Sequence, residues 1–161
     1  MEIFDYAIKL EKEGEEYYRQ LADNSDKEGI KNILLMLARD EVKHAETLKK
    51  MKQDEDTSMT ETDILDRSKT IFVDMKDELK NIVSKDEELN LYRKALEVEK
   101  RSIDFYQGKV EQAGSDKQKE ILNRIADEEK RHYHLLKNLE ELLLRPKQWV
   151  EDAEFYHLED Y

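Results

Sequence analysis

Residues 33–49, ILLMLARDEVKHAETLK, have the composition of a helix whose apolar spacing is broken in two places. Steps of three and four from Ile30 pass through Leu34, Leu37, Leu48 and Met51, so positions 41 and 44 belong to the same inward stripe. They hold Glu41 and His44. Displaced by 88, residues 121–137 read ILNRIADEEKRHYHLLK, and there Glu129 and His132 break the stripe of Leu122, Ile125, Leu136, Leu139 and Leu143. Upstream, AIKLEKEGEEYY (7–18) lies over ALEVEKRSIDFY (95–106) at the same displacement and without a gap. The stripe Phe4, Ala7, Gly14, Tyr18, Leu21 leaves position 11 to Glu11. The stripe Leu89, Tyr92, Leu96, Ile103, Tyr106, Val110 leaves position 99 to Glu99.

A repeat of this length indicates a duplicated helical hairpin, since a solenoid needs three or more shorter units. Within each half the two glutamates stand 30 residues apart on either side of a turn, which falls near position 24 in the first half. At 1.5 Å per residue, Glu11 and Glu41 both lie about 20–24 Å from that turn, so antiparallel helices set them side by side. Packing the hairpins about a pseudo-twofold axis brings all six polar side chains to one layer. The fold expected is an all-α, antiparallel four-helix bundle.

Composition supports that class. The chain has 161 residues, only 4 Gly and 1 Pro, and no run that alternates like a strand. It has no cysteine, which excludes disulfides, iron–sulfur clusters and thiolate zinc sites, so any metal is held by His and carboxylates. A net charge of -12 repels phosphate backbones and anionic lipid surfaces. Nucleic-acid and membrane partners are therefore not expected. With no basic start and no apolar run of the roughly 20 residues a bilayer crossing needs, a soluble cytoplasmic protein is expected.

Residues 1–145 are assigned to the bundle. Residues 54–84 form a crossover too long to be structureless, and Ile64, Leu65, Ile71, Phe72, Met75, Leu79 and Ile82 predict an extra helix over about 62–82. Ser25 with Glu28 and Ser84 with Glu87 match capping boxes, Ser115 matches a cap, and Pro146 should stop the last long helix. The tail 146–161 carries Trp149, Phe155 and Tyr156 and is expected to pack on the bundle or on a neighbouring subunit.

A Glu-x-x-His pair alone carries little weight in a chain with 24 Glu, and a third pair, Glu154/His157, reads as a surface pair, as does His134. The pairs at 41/44 and 129/132 differ because they sit on apolar stripes, recur at one offset and each follow a stripe glutamate by 30 residues. Desolvation decides between the readings. Four carboxylates in a bundle core cost several kcal/mol each unless compensated, against a fold stability of about 5–15 kcal/mol. No Lys or Arg lies on these stripes, whereas two divalent cations neutralise four carboxylates and two imidazoles complete the set. Glu11, Glu41, His44, Glu99, Glu129 and His132 are thus the expected metal ligands. Hard oxygens with imidazole suit iron or manganese, and zinc also fits. Tyr18 and Tyr106, seven residues after Glu11 and Glu99, lie on the same faces and can hydrogen-bond ligand carboxylates. Asp40 and Glu128 are candidates to accept the free ring N–H of a facing histidine.

Two glutamates and two Glu-x-x-His pairs on four helices form the ligand pattern of ferritin-like two-metal bundles. The segments "E-K-x-x-x-x-x-Y" and "E-x-x-H", paired across 1–53 and 85–145, resemble the rubrerythrin-like branch of that superfamily. The resemblance implies a long crossover between the second and third bundle helices, with Glu41 and Glu129 bridging two irons. It also implies Glu11 and Glu99 as terminal ligands, and His44 and His132 on one iron each. Three departures stand out. No rubredoxin-type iron–cysteine centre is present; the extra rubrerythrin carboxylate is replaced by Ser102; and Val42 stands where haem-binding bacterioferritin has methionine, so haem is not expected.

The activity implied is that of a non-haem di-iron oxidoreductase reducing hydrogen peroxide or dioxygen with electrons from an external donor protein. Gly14 and Ser102, one turn after Glu11 and Glu99, would leave room for the oxidant. Two other readings stand beside it. One is a ferroxidase or iron-handling protein; the other is a helical interaction protein with a structural metal site. The extra helix and acidic tail suit a 24-subunit shell poorly, so a homodimer is expected.

Overall fold

The computed structural model describes residues 2–54 and 57–151. Among these residues seven α-helices follow one another: α1 (Glu2–Asp23), α2 (Glu28–Lys52), α3 (Ile64–Asp74), α4 (Lys76–Leu79), α5 (Asp86–Lys109), α6 (Asp116–Leu144) and α7 (Pro146–Glu151). There is no strand among the described residues. The protein is all-α, and its four long helices α1, α2, α5 and α6 form the bundle. α1 packs on α2, α5 on α6 and α1 on α5, whereas α2 and α6 stand further apart.

Phe4 and Ala7 at the start of α1, Leu48 and Met51 near the end of α2, Tyr106 near the end of α5 and Ile121 to Ala126 at the start of α6 share one apolar cluster. Neighbouring bundle helices therefore run antiparallel. A second, larger cluster at the opposite end joins Tyr18 and Leu21 of α1, Ile30 to Ala38 of α2, Tyr92 to Leu96 of α5 and Leu135 to Leu143 of α6. Each fully buried Leu, Ile or Phe in these clusters contributes about 1.5–3 kcal/mol relative to exposure. Between the clusters, at mid-bundle, lies the polar layer.

Helix ends follow local chemistry with two corrections. The Asn24 side-chain amide donates to the Gln20 carbonyl at 2.8 Å, satisfying an acceptor at the end of α1. Ser115 caps α6, its hydroxyl accepting the Gln118 N–H at 3.2 Å, while the Gln118 side chain accepts the Gly114 N–H at 2.9 Å. α6 stops at Leu144, and Pro146 opens α7 at the first helical position, where its missing N–H costs nothing. Ser25 and Ser84 do not cap. Helix α2 starts three residues beyond Ser25 and α5 two beyond Ser84, behind Lys27 and Lys85 in extended backbone. Ser25 instead donates to the Lys27 carbonyl, and Ser84 to the Leu143 carbonyl, tying the start of α5 to the end of α6. On α5 the buried stripe runs through Ser102, and Ile103 is only half-buried.

The crossover helix forms but is broken. It divides at Met75 into α3 and α4, with Ile64, Phe72, Met75 and Leu79 buried. Met75 enters a site that only glycine leaves open: a Cβ on Gly29 would lie 2.0 Å from its Sδ. α4 then meets α7, where Trp149 stacks edge-on against Phe72 at 5.1 Å. Phe155, Tyr156 and the Glu154/His157 pair lie outside the described residues.

Candidate metal centre

Helical spacing carries six side chains into the mid-bundle layer: Glu11 from α1, Glu41 and His44 from α2, Glu99 from α5, and Glu129 and His132 from α6. All six are at most 1% exposed. Their ligand atoms fall into two groups, Glu11, Glu41, His44 and Glu129, and Glu41, Glu99, Glu129 and His132, with the atoms of each group within 4.8 Å of one another. Glu41 and Glu129 are common to both. The imidazoles stack at 5.8 Å.

Each histidine turns Nδ1 inward and Nε2 outward. His44 Nδ1 is 2.8 Å from Glu129 Oε1 and 3.3 Å from Glu11 Oε2, while Nε2 meets Glu128 Oε1 at 2.7 Å. His132 Nδ1 is 3.1 Å from Glu41 Oε1 and 3.6 Å from Glu99 Oε2, while Nε2 meets Asp40 Oδ2 at 2.9 Å. The outer acids thus pair across the bundle, Asp40 of α2 with the α6 histidine and Glu128 of α6 with the α2 histidine. An Nε2–H donated outward leaves the Nδ1 lone pair facing carboxylate oxygens, an arrangement that needs a proton or a metal ion between them.

Charge separates the acids into two sets. Burial, and then the charge of Glu11, push Glu41 and Glu129 well above the usual carboxylate range. Burial acts on Asp40 too, but the hydrogen bond and charge of His132, with Thr62 and Lys43, hold it at about 2. Glu128 is lowered against its burial by His44, Lys43 and the Thr62 N–H. Glu99 is also lowered, because His132 outweighs burial. Burial alone would lower the imidazoles, yet Glu11, Glu128 and Glu129 raise His44, and Asp40 and Glu99 carry His132 up to about 10. Without metal, protons stand where cations would.

A cation fits this donor set. Both oxygens of Glu99 and both of Glu129 are buried without a hydrogen-bond partner, a cost natural cores rarely leave uncompensated. The tyrosines differ. The Tyr106 hydroxyl donates to Glu11 Oε1 at 2.7 Å. The Tyr18 hydroxyl is buried beside Glu99 without a well-formed hydrogen bond, its ring lying edge-on to His132 at 6.2 Å. Burial, then surrounding glutamate charge, raises both phenols. The space beside Gly14 is taken by Glu41, since a Cβ there would lie 3.3 Å from its Cδ. That space is therefore not open to an oxidant.

One participant has no sequence signature. Residues 57–62 of the crossover lie over the gap between α2 and α6. Lys43 Nζ donates to the Thr60 carbonyl at 2.7 Å, Arg124 to the Met59 carbonyl at 3.1 Å, and Arg131 pairs with Glu61 at 3.0 Å. Thr62 donates its N–H to Glu128 Oε2 at 2.9 Å and its hydroxyl to Asp40 Oδ2 at 2.6 Å. Nothing in the TETD stretch, residues 60–63, marks it in advance.

Fold and site together define a four-helix bundle with a carboxylate–histidine layer that could hold two metal ions. The family model for rubrerythrin matches residues 2–140, and the chain belongs to the rubrerythrin family, whose members are ferritin-like di-iron proteins. Comparison with curated proteins and with solved structures gives no match. No helix among the described residues is long and apolar enough to cross a membrane.

Proposed function

We propose that this protein is a non-haem di-iron oxidoreductase that reduces hydrogen peroxide, or dioxygen, with electrons from an external donor protein. The observation that carries the reading is the pair of ligand groups sharing Glu41 and Glu129, in a layer whose Glu99 and Glu129 oxygens accept no well-formed hydrogen bond. Glu11, Glu41, His44, Glu99, Glu129 and His132 would hold the ions. Two ferrous ions held there would supply one electron each, matching the two electrons that, with two protons, convert hydrogen peroxide to two waters.

The chain's own residues do the rest. Glu128 and Asp40 hold the outward ring N–H groups, so both Nδ1 lone pairs point at the layer. Tyr106 fixes the outer oxygen of Glu11. The two apolar clusters shut the layer off from both ends of the bundle and exclude bulk water. With no cysteine, this chain offers no iron–sulfur relay, which supports an external donor. Cytoplasmic location and a homodimer belong to the same proposal, the latter tested by native mass.

The test is anaerobic loading with Fe(II), metal analysis, and titration with hydrogen peroxide while near-ultraviolet absorption is followed. About two irons per chain and one peroxide consumed per two irons support the oxidoreductase. Iron retained far beyond two per chain supports iron handling instead. Two tightly bound zinc ions and a spectrum indifferent to peroxide support a structural site.

A further inference from the structure

We propose that Thr62 is a positioning residue that fixes both histidine arms of the centre from outside the duplicated scaffold, acting on one through its hydroxyl and on the other through its backbone. The inference rests on the two-ion reading of the layer and not on the reaction. Two unbroken chains of contact converge on this residue. One runs from the Thr62 hydroxyl to Asp40 (2.6 Å), then to Nε2 of His132 (2.9 Å). The other runs from the Thr62 N–H to Glu128 (2.9 Å), then to Nε2 of His44 (2.7 Å). Among the described residues of the crossover, no other bonds to both acids.

The bonds matter because a carboxylate accepting from an imidazole sets the ring's orientation and tautomer only if it is itself held. Asp40 and Glu128 lie toward the outside of the bundle, where α2 and α6 pack least closely, so helix packing alone does not fix them. Lys43 helps at Glu128, at 3.2 Å, but stands 4.0 Å from Asp40. On the His132 side the Thr62 hydroxyl is therefore the main restraint on the acid besides the histidine.

A structural role is the rival. The Thr62 hydroxyl also accepts the Ile64 N–H at 3.2 Å, at the start of α3. Loss of that contact alone would lower the stability of the whole protein and leave the two ion sites alike. The positioning role makes them unlike.

The experiment is Co(II) titration of the metal-free full-length protein, followed by visible absorption and calorimetry, for wild type, Thr62→Val and Thr62→Ser. Valine keeps the shape and the backbone N–H but removes the hydroxyl. Thr62→Val should bind one cobalt as wild type does and the other about 10–100-fold more weakly, with changed absorption for that ion. Thr62→Ser should restore both. Asp40→Asn should reproduce the one-sided loss, which guards against a Thr62→Val variant that does not fold. Equal affinities for both ions in Thr62→Val, whether unchanged or lowered together, overturn the proposal, as does a serine variant that behaves like valine. A wild type that binds two cobalt ions in these outcomes leaves the metal centre standing. A wild type that binds none overturns the centre, and this proposal with it.

Discussion

The two hairpins share one sequence plan but hold their parts of the centre differently. In the half-site of Glu11, a phenol from the other hairpin, Tyr106, donates to the glutamate; the related pair, Glu99 and Tyr18, makes no such bond. The outer acids are Glu128 and Asp40, at related positions one methylene apart in length. The longer one reaches a backbone N–H and Lys43, the shorter one a hydroxyl. Lys43 and Arg131 are also related by the 88-residue displacement, yet Lys43 meets Glu128 while Arg131 turns to Glu61 of the crossover. Duplication supplies a symmetric frame, and the unduplicated crossover makes the two sides unequal.

Mutations at the shared and unshared glutamates test this inequality with the largest effect. Glu129→Gln should abolish retention of both ions, because Glu129 belongs to both ligand groups, whereas Glu99→Gln should leave about one per chain. Metal analysis after gel filtration distinguishes them, and equal losses would mean that the half-sites do not act separately.

The tyrosines come next. In metal-free protein, Tyr106→Phe leaves a buried Glu11 oxygen without its donor and should cost about 1–3 kcal/mol. Tyr18→Phe removes a hydroxyl that has no partner and should be neutral or slightly stabilising. Urea unfolding of the chelator-treated variants reads both, and the reverse order would show that the asymmetry is absent in solution.

Gly14→Ala should act on the centre and on the helix in opposite directions. Its Cβ would press Glu41 at 3.3 Å and weaken Co(II) binding by about tenfold. Metal-free stability should rise by about 0.5–1 kcal/mol from helix propensity. Calorimetry on the same sample gives both signs. The smallest effect belongs to the basic pair: Lys43→Met and Arg131→Met should each change stability by less than about 1 kcal/mol, since both side chains are partly exposed. Paired thermal melts that show a larger loss would mean a stiffer crossover than these contacts provide.

The bundle and the convergence of the six side chains were legible because each polar residue interrupts an otherwise apolar stripe at a fixed displacement. A periodic pattern has fixed vacancies, and Glu11, Glu41, His44, Glu99, Glu129 and His132 fill them. What the pattern could not convey was anything settled between helices. Asp40 and Glu128 were readable as candidates to hold a facing histidine, but that Asp40 reaches His132 and Glu128 reaches His44 depends on how α2 faces α6. Tyr18 and Tyr106 occupy equivalent positions, yet only Tyr106 makes a well-formed hydrogen bond to a carboxylate. Thr62 belongs to a stretch with no periodicity, so nothing distinguished it from its neighbours. Ser25 and Ser84 matched a local motif that lost to helices starting further along the chain, at Glu28 and Asp86, and the crossover helix breaks at Met75, whose side chain packs on Gly29.

The division of the apolar core into two clusters has a mechanical consequence. An ordinary helical bundle is softest at its tips and stiffest at its waist. Here the waist is the stratum where, in the absence of cations, like charges crowd and protons must stand in. Amide exchange in the chelated protein should accordingly start near the middle of the long helices, and loading with ions should rivet the girdle shut before it alters either end.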